Sequence, residues 1–280
     1  MKELLTRKRL KARKTQKRRA NNNPLTVGLT FWEHLDELRG CLLRILVAAT
    51  VAAVVAFCFK ETIFSIVLAP KENNFVTYRL FDRVSGQHSD FEINLINVEI
   101  TQQFLTHMKV AFYLGLLAVS PYVIYVLFGF VAPALYKNER RFAVGAVTGG
   151  YVMFLLGIAL NYFVIFPLTF QFLGNYQVSG EVVNMISLGS YISMLLSMSL
   201  IMGIVFELPV LSWLLAKTGI LKAGPMKKYR RHAVVAILII AAIITPTGDA
   251  FTLTIVSLPI YLLYEVSIMV VSHTWSQKTQ

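Results

Sequence analysis

Charge is what this 280-residue chain has least of: 15% of its residues are Asp, Glu, Lys or Arg, against 56% hydrophobic. A soluble domain carries about 25% charged residues. The few charges are also segregated, so that long stretches hold none, and that pattern excludes a large water-soluble core in favour of a polytopic membrane protein. Cysteine is nearly absent. Cys41 and Cys58 lie 17 positions apart in or near one apolar segment, a spacing that implies neither a disulfide framework nor a metal site and leaves both as packing residues. The chain has no HExxH, no GxxxxGK[ST], no paired intramembrane aspartates and no Ser/His arrangement, which argues against a membrane metalloprotease, ATP hydrolysis or any other enzyme, and calls for no cofactor or metal. His34, His88, His107, His232 and His273 are scattered at loops or helix ends, interfacial positions rather than ligands. No inverted repeat of the kind many secondary transporters carry is visible.

Six apolar segments are present, at about 41–58, 104–131, 143–172, 189–216, 233–247 and 250–271. A helix needs about 20 residues to cross an ~30 Å hydrocarbon core. The second, third and fourth segments are long enough to cross with some tilt. The fifth is short: from Ala233 to Pro246 a helix rises only about 21 Å. The turn TPTGD at 245–249 is therefore expected below the bilayer surface, or in a bilayer that thins there.

The scarce charges alternate by gap. The chain through Arg44 carries twelve Lys/Arg, ten of them in residues 1–19 against the single acid Glu3. The next odd gaps hold Lys137, Arg140 and Arg141, then six Lys/Arg across 217–232 with no acid. Even gaps are acidic or bare: three basic residues against five acids in 71–101, only Glu181 in 173–188, only Asp249 in the last turn. Positive loops stay in the cytoplasm, so both termini are placed there. The basic tail has no apolar h-region or cleavage site and reads as a solvated segment on anionic lipid. No aromatic-bearing domain follows it to read nucleic-acid bases.

Pro121, Pro133, Pro167, Pro209, Pro246 and Pro259 fall in or at the edge of the apolar segments. Each removes a helical hydrogen bond and bends its helix, a composition suited to a curved wall. Gly149, Gly150 and Gly157 permit close helix approach in the third segment. The 71–101 stretch mixes polar, aromatic and acidic residues and is expected to be an ordered loop.

Four stretches carry the chemistry. In TFWEHLDELRGCLLRI at 30–45, Thr30 and Glu33 have capping-box spacing. Glu33, Asp36, Glu37, Gly40 and Arg44 share one helical face, opposite Phe31, Leu35, Leu38, Leu42 and Ile45. Carboxylates in a first turn suit the helix dipole, which accounts for Glu33 but not for a full acid cluster on so basic a side. In FGFVAPALYKNERR at 128–141, Glu139 is the only acid, open to a local salt bridge. In GIVFELPV at 203–210, Glu207 sits inside an apolar segment, where an ionised side chain costs ~2.5–3.5 kcal/mol or more; it is a functional candidate that is protonated or faces a wet groove. In ITPTGDAFTLTIVSLP at 244–259, Asp249 is placed to cap the last helix.

Together these stretches resemble the TatC family, the polytopic receptor subunit of twin-arginine protein translocases. HLDELR at 34–39 is similar to the family's H-L-x-E-L-R signature, and FVAPALYKNERR at 130–141 to its F-x-x-P-A-L-Y-x-x-E-R-R loop. FELPV at 206–210 and TPTGD at 245–249 match in kind, order and spacing. The resemblance spans roughly 30–272, between a basic tail at 1–29 and a short C-terminal tail at 273–280. It implies an all-α membrane fold of six transmembrane helices with both termini in the cytoplasm, in a concave arrangement with short fifth and sixth helices. It also implies a core translocase subunit, not an enzyme, that receives the arginine pair of folded cargo's signal peptides under a proton-motive force. Glu37 and Glu139 match the glutamates that receive the arginines; a guanidinium meets a carboxylate as a bidentate fork that lysine does not reproduce. Arg39 belongs to the same signature, and Leu35, Leu38 and Phe130 would form an apolar shelf for the signal's hydrophobic stretch. Glu207 matches an acid facing the concave groove. Thr245, Pro246 and Asp249 match a turn where single-span TatA- and TatB-type partners dock along the last two helices, within a larger complex that also joins copies of the chain. The family's usual glutamine four residues after the aspartate is Leu253 here, and Thr247-Gly248 lengthens the turn. The implied home is a prokaryotic cytoplasmic membrane, no transit peptide preceding the matched region. A small-solute transporter is the rival reading that Glu207 and the prolines would suit.

Overall fold

The computed structural model describes residues 31–85, 94–131, 140–179, 184–245 and 247–278. The chain divides into two compact units, Met1–Leu42 and Leu43–Gln280. In chain order the helices are α1 (Phe31–Phe57), α2 (Lys60–Leu68), α3 (Val76–Ser85), α4 (Gln102–Ala118), α5 (Ser120–Val131), α6 (Arg140–Leu160), α7 (Phe166–Asn175), α8 (Leu188–Val205), α9 (Leu208–Lys217), α10 (Ala223–Lys228), α11 (Arg230–Ile244) and α12 (Ala250–Lys278). Two-residue strands β1 (Leu95–Ile96) and β2 (Ile186–Ser187) pair in parallel, Leu95 opposite Ile186. Four stretches are long and apolar enough to cross a membrane: Leu38–Phe57, Gly145–Asn175, Leu188–Lys217 and Ala250–Ser276; α4 and α5 make a fifth if counted as one bent span. Helix α11, with 15 residues, rises only about 22 Å. It is the short fifth segment expected from the sequence.

The sixth segment does not share that shortness. Helix α12 runs 29 residues to Lys278, about 43 Å, into the stretch read above as a C-terminal tail. Hydropathy ends where the bilayer ends, but a helix continues until something breaks its backbone ladder, and no Gly or Pro follows Pro259. The far end is also held: Tyr264 donates to the Met226 carbonyl at 2.8 Å and Trp275 Nε1 to the Leu221 carbonyl at 2.7 Å.

Pro121, Pro167 and Pro209 disturb their helices as predicted, whereas Pro259 lies inside the continuous helix α12 and Pro133 and Pro246 lie outside the described residues. Pro121 lies just after a 58° bend between α4 and α5. With no N–H on Pro121, the Leu117 carbonyl loses its helical donor, and the Ser120 hydroxyl supplies one at 2.7 Å. Pro167 likewise strands the Phe163 carbonyl, which the Thr77 hydroxyl of α3 reaches. The backbone relaxes there through a π turn at Asn161–Ile165, where an inserted residue shifts the ladder. Pro209 opens α9 after a break at Phe206 and Glu207. At its other end α9 closes with Gly219 at φ +84°. The amides of Gly219 and Ile220 donate back to Ala216 and Leu215, both at 3.1 Å, a Schellman closure that needs the left-handed residue.

The segment between the first and second apolar stretches is ordered over its described residues, and tyrosines tie it down. The last carbonyls of a helix have no internal partner. Those of α2 are reached by Tyr162 (to Ile66, 2.6 Å) and Tyr191 (to Val67, 3.1 Å). Tyr78 shares its hydrogen between the carbonyls of Pro70 at 2.9 Å and Pro167 at 3.1 Å. Around these phenols, Val67, Phe75, Val110, Phe166, Phe170 and Ile192 form one core cluster. A second joins Met198, Met202 and Phe206 to Ile237 and Ala241 of α11 and to Val256 and Ile260 of α12.

Close helix approach falls on particular glycines, as van der Waals packing in lipid requires. A Cβ on Gly157 would lie 2.6 Å from the Met202 carbonyl oxygen and 3.0 Å from Gly203 Cα, so α6 and α8 touch backbone to backbone. Gly149 faces open space and permits no such approach. Gly115, which the sequence did not single out, seats α4 against Ala49 and Ala53 of α1.

Candidate functional site

The amphipathic start of α1 is helical as expected. Leu35, Asp36 and Arg39 are exposed and Leu38 is half-buried. The capping pair Thr30–Glu33, the side chains of Glu37 and Phe130, and Glu139 lie outside the described residues, as does Pro246. The expected role of Glu37 and Glu139 therefore rests on their motifs alone.

Glu207 is fully placed. It occupies the break between α8 and α9, its amide donating to Ile204 at 3.1 Å and its carbonyl accepting from Leu211 at 2.9 Å. The side chain opens onto a cavity of ≈ 320 Å³ whose walls include Leu116, Ile124, Phe154, Ile204 and Leu214. Both carboxylate oxygens are shielded and have no hydrogen-bond partner among the described residues. Ser120, the other polar side chain on the wall, is spent on the Leu117 carbonyl. The pocket thus presents one acid to an otherwise apolar space, an arrangement that costs energy unless something polar arrives to meet it. The bend at Pro121 and the break before Pro209 form the cavity: straight helices would carry these walls past one another.

The turn after α11 is built around Asp249. Its Oδ1 accepts from the Thr252 amide at 2.7 Å and its Oδ2 from the Thr247 hydroxyl at 2.6 Å, which makes Asp249 the cap of α12. Partial burial would raise its pKa, but these hydrogen bonds outweigh that and hold the carboxyl below its usual value. Gly248 at φ +59° supplies the reversal the turn needs. Thr245 is buried, its hydroxyl donating to Ala241 at 3.0 Å, a bond within its own helix end. Leu253 packs partly buried on the second core cluster.

Two features were missed in the sequence. Glu265 pairs with Arg230 at 2.6 Å and accepts from Tyr261 at 3.2 Å; the single acid of α12 opposite a basic loop was the available signal. His107 is buried in α4 with its ring stacked on Phe57 at 3.9 Å and edge-on to Phe64 at 5.7 Å. Among the described residues no cluster of three or more His, Cys, Asp or Glu is arranged to hold a metal.

Comparison with known proteins agrees with this architecture. The family model described as Sec-independent protein translocase protein (TatC) matches residues 33–259. A Sec-independent protein translocase protein TatC of Blattabacterium sp. subsp. Periplaneta americana (strain BPLAN) is 32% identical over 252 residues, covering 86% of this chain and 94% of the relative. The protein of the same name from Escherichia coli (strain K12) is 31% identical over 235 residues, covering 84% and 85%. A crystal structure described as the twin arginine translocase receptor TatC superposes with a TM-score of 0.69 at 29% identity, over 85% of this chain and 98% of that one. The four motifs, the Glu207 cavity and the capped turn lie in the matched span or at its edge, and the chain belongs to the TatC family of Sec-independent protein translocase proteins.

Proposed function

We propose that this chain is the twin-arginine signal-peptide receptor and core subunit of a translocase that exports folded proteins across the prokaryotic cytoplasmic membrane. It is a transport component, not an enzyme. The observation that carries the reading is the superposition on a solved twin arginine translocase receptor over nearly all of that chain, joined to acids kept on the basic side of the sequence. Glu37 and Glu139 receive the two guanidinium groups from the cytoplasm, where the local dielectric is below that of water and the charge-assisted fork gains strength. Arg39 and its basic neighbours raise selectivity by repelling single cations that bring no matched geometry. Leu35, Leu38 and Phe130 take the hydrophobic part of the signal, an assignment supported by the exposure of Leu35.

Single-span TatA- and TatB-type partners dock near the turn of Thr245, Pro246 and Asp249, and several copies assemble in the working complex. The proton-motive force supplies the energy. Both termini lie in the cytoplasm, as the alternating loop charges favour, and the basic residues of 1–19 contact anionic lipid outside the receptor site.

The test is binding of a twin-arginine signal peptide and its twin-lysine variant to the full chain in nanodiscs. Preference for arginine, lost in Glu139→Ala and in Glu37→Ala while membrane insertion persists, is the expected result. Equal weak binding of both peptides refutes the receptor reading and favours a small-solute transporter built around Glu207. Unchanged binding in Glu139→Ala alone removes that residue from the site.

A further inference from the structure

A second cavity, of ≈ 480 Å³ and polar, opens between the α10–α11 turn and the last turns of α12. Its cationic wall is Lys227 and Arg230; His273, Ser272 and Ser276 line it from α12. Arg230 spends one Nη2 hydrogen on Glu265 at 2.6 Å and its side chain stays 48% exposed, so the guanidinium is fixed in place with donors remaining. Lys228 and Arg231 are exposed alongside, and residues 217–232 contain no acid. The local field is positive even after Glu265 is counted.

The level of the cavity decides what kind of anion it meets. It lies at the end of the apolar span Ala250–Ser276, where a hydrocarbon layer gives way to headgroups. From Met269 on the cavity wall, Leu262 and Leu258 stay well exposed along the same face of α12, an apolar track that passes the Arg230–Glu265 pair and leads towards the middle of the span. A phosphate at the mouth and an acyl chain on the track is the chemistry of a glycerophospholipid. A choline headgroup would bring its own cation against Lys227 and Arg230; an anionic headgroup would not. Basic pockets between transmembrane helices at the cytoplasmic surface are suited to such headgroups, each nearby Lys or Arg contributing attraction that decays within a Debye length.

We propose that this cavity is a binding site for an anionic glycerophospholipid, with Lys227 and Arg230 on the phosphate, Ser272 beside them, and the acyl chain along Met269 and Leu262. The site uses no residue of the basic N-terminal tail and is independent of the signal-peptide reading, since it requires only that the chain lie in a membrane.

The test uses the full chain purified in detergent and equilibrated in turn with dioleoyl phosphatidylglycerol, dioleoyl phosphatidylcholine and inorganic phosphate. Bound lipid is counted by native mass spectrometry. A phosphatidylglycerol with a photoreactive group beside the phosphate maps the site. The expected result is retention of phosphatidylglycerol over phosphatidylcholine, with crosslinks in 227–230 or 272–276. Affinity should fall about fivefold in Lys227→Gln, the loss of one cation near the surface, and be unchanged in Lys60→Gln, an exposed cation on α2. Lys227 is chosen over Arg230 because, among the described residues, Arg230 carries the interhelical ion pair to Glu265 and Lys227 none. Equal phosphatidylglycerol binding in the parent and Lys227→Gln, or crosslinks confined to residues 1–29, overturns the proposal. Thermal stabilisation by inorganic phosphate equal to that by phosphatidylglycerol assigns the cavity to a free anion and also overturns it.

Discussion

Replacing Glu207 by leucine should make the protein more stable and less able to transport. Both carboxylate oxygens are buried without a partner among the described residues, in a cavity whose other walls are almost entirely apolar. A buried polar group left unsatisfied costs ~1–3 kcal/mol, and an ionised acid at the centre of a membrane span ~2.5–3.5 kcal/mol. Leucine has similar volume, no polar atom and neighbours of its own kind in Leu116, Ile124 and Leu214. Glu207→Leu should therefore gain about 1–3 kcal/mol. At ~2–4 °C per kcal/mol for a chain of this order of size, the apparent Tm in detergent should rise by roughly 2–12 °C. Glu207→Gln keeps an unsatisfied polar head and should stay near the parent. Twin-arginine peptide binding should survive both substitutions, whereas transport in vesicles containing the partner subunits should fall in Glu207→Leu. A residue kept at a cost to stability is the signature of a functional demand. The reasoning fails if Glu207→Leu melts below the parent while Glu207→Gln does not, because the carboxylate would then have a stabilising partner.

Two further outcomes test the frame around that cavity. Gly157→Ala would drive a Cβ to 2.6 Å from the Met202 carbonyl and 2.9 Å from Phe206 Cγ, so it should cost about 1–3 kcal/mol as overpacking. Gly149→Ala, in open space on the same helix, should be neutral or slightly stabilising; equal melting of the two variants would refute the close approach of α6 and α8. Asp249→Ala removes the α12 cap and should cost about 1 kcal/mol near neutral pH. Because the folded pKa of Asp249 lies below its usual value, of about 3.9 when unfolded, that contribution is complete above about pH 4 and is lost as pH falls through the folded pKa. The parent and Asp249→Ala melting curves should accordingly be parallel from pH 5 to 8 and converge only in stronger acid; convergence already at pH 6 would contradict the cap geometry.

Much of this architecture was legible because it depends on local chemistry. Hydropathy reports the solvent a segment prefers, so the order of the apolar stretches, the short fifth helix and the isolation of Glu207 could be read directly. A proline deletes its own hydrogen bond wherever it stands, which made the bend at Pro121 foreseeable. Asp249 caps a helix that starts beside it in sequence. Glu37 and Glu139 were singled out by motif, each belonging to a short stretch with its own spacing.

What the tertiary structure alone decided lies between segments. A helix that is apolar all round shows no periodicity to reveal which side faces which neighbour, so nothing in the third segment distinguished Gly157 from Gly149. The donors that repair the proline sites show the same division. Ser120 serves Leu117 three residues away, whereas Thr77 serves Phe163 across 86 residues of chain. The pairing of Arg230 with Glu265 and the latching of α12 by Tyr264 and Trp275 likewise join distant stretches, and they hold in place a helix longer than its hydropathy implied. The sequence by itself determined which solvent each segment occupies and which backbone groups are left unsatisfied. Packing determined which side chain satisfies them, because that choice depends on the rotation and depth of helices whose faces are chemically alike.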